Sequence, residues 1–130
     1  MTVLLAHVPN RSAEAAFAAA LRQASLREVP LVVINATDME SHEDSRRTRR
    51  KAVRTMILRG RDLGVEVEVE QPVGPDVATM ILNRAAGLPA EVIVLGIRRR
   101  STVGKLLLGS TAQRVLMEAP CEVLLVRPAG

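Results

Sequence analysis

A chain of 130 residues in which 48% are apolar is long enough to bury a core and too apolar to be disordered. One Phe and no Tyr or Trp exclude the aromatic platforms on which single-stranded nucleic acids stack. The single Cys121 excludes an intramolecular disulfide and a cysteine metal site. The net charge of +4 favours phosphate-bearing partners in general without naming one.

The amino-terminus, "MTVLLAHVPNRS", lacks the basic flank and the apolar length of a signal peptide. No apolar run is long enough to span a bilayer. The expectation is one soluble cytoplasmic domain over residues 1–130, with no membrane partner.

Residues 3–6 form a short apolar strand that "HVPN" breaks. Ser12 is placed to cap the next helix, with Glu14 in its first turn, where the helix dipole favours an acid. Residues 13–24 are rich in alanine around Phe17 and Leu21, which suits a helix lying close against a sheet. Leu31–Ile34 is a second strand. Neither run alternates with polar residues, as expected of strands covered on both faces.

The segment "TDMESHEDSRRTRRK", residues 37–51, carries its acids first and its bases later. It flows into Val53, Met56, Ile57 and Gly60 at helical spacing, so a loop becomes a helix that Gly64 stops. "VEVEVE", residues 65–70, alternates strictly and reads as a strand near a sheet edge with one face in solvent. In Gly74-Pro75-Asp76, Pro75 is expected at the first helical position and Asp76 in the first turn. Val77, Met80, Ile81 and Leu82 give that helix its apolar stripe, and Gly87 and Pro89 end it. A fourth strand at 92–95, a last helix at 111–117 and a fifth strand at 123–126 complete the chain.

Strand and helix thus alternate four times before a closing strand. Connections of this length force parallel strands with right-handed crossovers, which predicts a doubly wound α/β fold with helices on both faces. The solvent-facing third strand favours the order 3-2-1-4-5. That order makes the first and fourth strands neighbours and puts a ligand crevice where their carboxyl ends meet. The loops facing it would be residues 7–12 and 97–104. Together they are expected to form a cationic notch.

The carboxy-terminal stretch resembles the universal stress protein family, whose signature there is G-x2-G-x9-G-[ST]. Gly96, Gly109 and Ser110 stand at matching positions, and "EAPCEVLLVRP" is similar to the family's closing strand. The resemblance implies a universal-stress-protein-like five-stranded parallel sheet of order 3-2-1-4-5. It also implies a homodimer paired through the last strands, here Glu122–Val126, and ATP or another adenine nucleotide at the crevice. The implied contacts after the first two strands are Val8, Pro9, Asn10 and Asn35. Those of the signature are Gly96, Arg98, Arg99, Gly109, Ser110 and Thr111.

Two positions depart from the family pattern. Val8 stands where the family has an Asp that meets the adenine, and Arg99 stands where the second glycine lets backbone approach phosphate. Side chains could compensate, because the guanidinium forks of Arg98, Arg99 and Arg100 can hold phosphate bidentately.

Other motifs are weaker. Gly104-Lys105 is no P-loop: residue 99 is Arg where glycine is required, and Leu106 follows the lysine where a magnesium-binding hydroxyl is needed. Ser110-x-x-Gln113 reads equally as a capping box. The basic run at 46–51 with Arg54 is favoured as a solvated face, given Glu40, Glu43 and Asp44 nearby, so nucleic acid is disfavoured as a partner. His7 and His42 are isolated from metal-ligand spacing. His7 is expected to pack at a strand end and Cys121 to be a core residue. No nucleophile–base pair emerges among Ser12, Ser101, Ser110 and the histidines, so no enzyme is expected. The leading function is a stress-response module responsive to an adenine nucleotide. The alternative is a member that binds no nucleotide and acts through dimerisation and protein partners.

Overall fold

The structure, a computed structural model, describes residues 1–8, 11–38, 43–99 and 106–128. In chain order the elements are β1 (Thr2–Ala6), α1 (Ala13–Arg27), β2 (Leu31–Ile34), α2 (Glu43–Asp62), β3 (Val67–Glu70) and α3 (Val77–Gly87). They continue with β4 (Ala90–Gly96), β5 (Arg98–Arg99), β6 (Leu106–Leu107), α4 (Ser110–Glu118) and β7 (Glu122–Val126). Five strands form one sheet of order β3-β2-β1-β4-β7, every pair parallel. This is the expected 3-2-1-4-5 sheet, with β7 as its fifth strand.

Period-two alternation divides the core between the two faces. Val3, Leu5, Val33 and Val94 face α1, where Ala16, Ala20 and Ala24 let the helix sit close, and Met56 and Ile57 of α2 join that layer. Leu4, Ala6, Val32, Ile34, Ile93 and Leu95 face α3 and α4, meeting Ala78, Ile81 and Val115. Ion pairs tie the outer elements down. Arg84 of α3 grips Glu70 at the end of β3 through two hydrogen bonds of 2.8 and 2.7 Å. Arg59 of α2 donates to Glu14 of α1 at 2.8 Å and lies 4.8 Å from the ring centre of Phe17.

The helix ends depart from expectation in instructive ways. Ser12 occupies the N-cap position of α1 with a helical backbone (φ −89°, ψ −2°) and without a side-chain capping bond; it is fully buried. Asp76, not Pro75, begins α3: it is the N-cap, and its carboxylate accepts from the Thr79 N–H at 3.2 Å. That bond and the Arg114 guanidinium hold Asp76 below the usual carboxylate range. The third strand starts at Val67 because Val65 is used to close α2: its N–H reaches Gly60 O while Gly64 N–H reaches Arg61 O. Finally, the stretch leaving β4 is not plain loop. β5 and β6 form a short antiparallel ladder, Arg98 opposite Leu107 and Arg99 opposite Leu106.

Candidate functional site

Because β1 and β4 are adjacent and parallel, with Ala6 opposite Leu95, the turns leaving them lie at one rim of the sheet. A cavity of about 350 Å³ opens there, within the range of small-molecule sites. His7 and Val8 after β1, Asn35 and Ala36 after β2, and Leu95, Gly96 and Ile97 at the end of β4 supply one side of it. Val77 and Ile81 of α3 supply another, and residues 108–112 around the start of α4 close it.

Of the sequence-predicted site residues, Val8, Asn35, Gly96, Gly109, Ser110 and Thr111 come together around this cavity. Pro9, Asn10 and Arg100 lie outside the described residues, as do Ser101, Gly104, Lys105 and His42. Arg98 and Arg99 belong to β5, but only their backbone is described. The expected cationic notch therefore turns on side chains outside the described set. The described wall is uncharged apart from His7, whose imidazole burial pushes below its ordinary value. At neutral pH the described lining is neutral and mostly apolar.

The first turn of α4 is where this wall can bind charge. The helix begins with Gly109 as N-cap, so Ser110 is the first helical residue and not the cap of a Ser110–Gln113 box. The first intrahelical bond runs from Gln113 N–H to Gly109 O at 2.9 Å, and Gly109 has no side chain with which to cap the end. Within the helix, the N–H groups of Ser110, Thr111 and Ala112 have no acceptor. Such a terminus favours an anion through both its donors and its dipole.

The two matching signature glycines differ in what surrounds them. A Cβ on Gly96 would run into Ser12 Oγ and come within 3.1 Å of Ser12 Cβ and 3.3 Å of Ala16 Cβ. Gly96 is therefore small because α1 packs against the end of β4. A Cβ on Gly109 would meet nothing within 4 Å, and its φ of −67° suits any residue. Among the described residues nothing demands a glycine at 109; what its smallness leaves is room in the cavity mouth.

A family model described as the universal stress protein family matches residues 1–127. The chain belongs to the universal stress protein family. It is 44% identical over 110 residues to a universal stress protein of Mycolicibacterium smegmatis, covering 85% of each chain. Among solved structures it resembles a universal stress protein from Archaeoglobus fulgidus, with a TM-score of 0.78, 27% identity and 96% of each chain covered. It also resembles the universal stress protein from that organism solved in complex with dAMP, with a TM-score of 0.74, 23% identity, and 96% of this chain and 95% of that one covered.

Sequence reasoning missed several lining residues of this universal stress protein. Val77 and Ile81 belong to the apolar stripe of the third helix, yet both also line the cavity. Nothing in the spacing distinguishes a core position from one that borders both core and cavity. His7, expected to pack at a strand end at the start of the crevice-facing loop 7–12, is half-buried at the cavity edge. Cys121 is also half-buried, beside the α3–α4 layer. Burial pushes its thiol up, partly offset by a hydrogen bond with the Ile93 backbone, so no thiolate nucleophile is present at neutral pH. Among the described residues no group of three His, Cys, Asp or Glu could hold a metal ion, and no helix is long and apolar enough to cross a membrane.

Proposed function

We propose that this universal stress protein is a single-domain cytoplasmic binding module that takes an adenine nucleotide in the cavity between β1, β4 and α4, without dedicated catalysis. The observation that carries this is the start of α4. Three N–H groups free of helical acceptors adjoin a glycine that no contact among the described residues requires, in a cavity of nucleoside size. The dAMP complex of a protein with the same fold supports the choice of ligand class. Phosphate would meet Gly109, Ser110 and Thr111, with Gly96 behind it, and Arg98 and Arg99 are the cations proposed to hold it. The base would lie toward Val8, Pro9, Asn10 and Asn35.

Titration calorimetry with ATP and AMP tests the reading. Saturable heat that Gly109→Val abolishes is the expected result, and absence of heat at millimolar nucleotide overturns it. Val8→Asp supplies the acid found in nucleotide-binding members and is expected to tighten AMP.

A second reading follows from Val8 itself, an apolar residue in the wall where those members carry an acid. In it the protein binds no nucleotide and acts as a homodimer, with other proteins as its partners. β7 is the outermost strand of the sheet and half-buried along most of its length, and edge strands of this kind are commonly covered or paired. Light scattering at tens of micromolar is expected to give a dimer under both readings. A dimer without nucleotide heat selects the second.

A further inference from the structure

We propose that the outward face of α2 docks the phosphate backbone of double-stranded nucleic acid, without regard to sequence. Arg47, Arg50, Lys51, Arg54 and Arg61 lie on this helix, and at 3.6 residues per turn they fall within one stripe about 100° wide. All five are exposed. Among the described residues none of them joins an ion pair, whereas Arg27, Arg59, Arg84 and Arg114 each hold a carboxylate. Cations placed three or four apart repel and weaken a helix. An unneutralised row of them is a cost that a polyanion removes.

Glu43 and Asp44 stand one turn before Arg47 in the helix, but they do not reach the far end of the row. From Asp44 to Arg54 is about 15 Å along the helix axis, beyond the roughly 8 Å screening length at physiological salt. Arg61 is farther still. The stripe extends beyond the basic run at 46–51 to Arg54 and Arg61.

Geometry selects the partner. The stripe runs about 21 Å from Arg47 to Arg61, a length over which one duplex strand presents about six phosphates. A small anion needs a concave site, and this face is the outside of a helix carrying a surface groove between Arg50, Arg54, Leu58 and Arg61. An interfacial membrane helix needs a broad free apolar face. Here Met56 and Ile57 pack on the core, leaving Leu58 and Leu63 as the exposed large apolar residues in and just beyond α2. Single strands are disfavoured by the lack of aromatic residues. The opposite side of the helix is anchored by Arg59 on Glu14 and Phe17, so the row is held on a rigid element.

The test is fluorescence anisotropy of the full chain with a labelled mixed-sequence DNA duplex of roughly 20 base pairs, at about 50 to 200 mM salt. Five phosphate contacts predict a log–log salt slope of at most about −4.5. Arg50→Ala/Arg54→Ala/Arg61→Ala is expected to flatten that slope by about 2–3, with circular dichroism confirming the fold. The corresponding triple lysine variant is expected to retain binding, as is the control Arg22→Ala/Arg127→Ala. No binding at the lowest salt overturns the proposal. So does equal loss in the control, or preference for phosphatidylserine vesicles over the duplex.

Discussion

Gly96 at the end of β4 faces the buried Ser12 at the start of α1 with no space for a methyl group between them. This contact sets how near the first helix comes to the rim where the cavity opens. A Cβ at 96 must push Ser12 and Ala16 together, and both belong to a closely packed layer. Gly96→Ala is therefore expected to destabilise by about 1–3 kcal/mol, the usual cost of overpacking. Urea denaturation of the variant checks it, with an unchanged m-value showing that the fold survives.

Gly109→Ala is expected to behave differently. Its backbone angles suit any residue and its Cβ would touch nothing among the described residues. Glycine is the better N-cap residue, so the stability cost is expected to be only the loss of that preference, about 1 kcal/mol. Nucleotide affinity is expected to drop, because the methyl group intrudes where phosphate meets the helix start. Calorimetry and denaturation run side by side separate the two glycines.

Much of this was legible in the chain because it follows from local periodicity. Continuous apolar runs such as Leu31–Ile34 mark strands covered on both faces, and "VEVEVE" marks an edge. With the order 3-2-1-4-5 favoured by the solvent-facing third strand and implied by the family resemblance, the meeting of the β1 and β4 turns follows from topology. Helix boundaries and caps were less legible. Ser12 is an excellent cap by residue type, but its backbone is already helical, whereas a capping side chain needs an extended backbone there. Ser110 fails as a cap because Gly109 takes that position one residue earlier. The β5–β6 ladder carries no signal, since "RR" and "LL" pairs are too short to show a period. The double role of Val77 and Ile81 is a property of packing and cannot be read from spacing.

His7 gives a pH dependence whose sign is set by burial. Its imidazole is held below the ordinary value of 6.5, so the unfolded chain binds a proton more readily than the folded one. Folding stability present above about pH 6.5 is then lost as pH falls through that value toward the lower folded-state value. His7→Gln is expected to flatten stability across this window while leaving the profile above neutrality unchanged. Thermal denaturation of both proteins at closely spaced pH values measures it. A wild-type profile no steeper than the variant's would assign the pH dependence elsewhere.

Two helices end through the same pair of backbone bonds but with different residues at the left-handed position. In α2, Gly64 sits at φ +70°, with Val65 N–H on Gly60 O and Gly64 N–H on Arg61 O. In α1, Glu28 takes that place at φ 56°, with Val29 N–H on Ala24 O and Glu28 N–H on Ser25 O. A side chain in this region costs about 1–2 kcal/mol, and glycine avoids that cost at the expense of roughly 0.5–1 kcal/mol of unfolded-state entropy. Glu28→Gly is accordingly expected to stabilise by up to about 1 kcal/mol, since relief of strain outweighs the added entropy. Gly64→Ala is expected to destabilise by about 1–2 kcal/mol, although its Cβ would meet nothing within 4 Å, because the penalty lies in the backbone angle. Opposite signs from the two substitutions in one denaturation series would locate the effect in backbone conformation. A loss at both positions would show instead that the Glu28 side chain makes a stabilising contribution larger than the strain it carries.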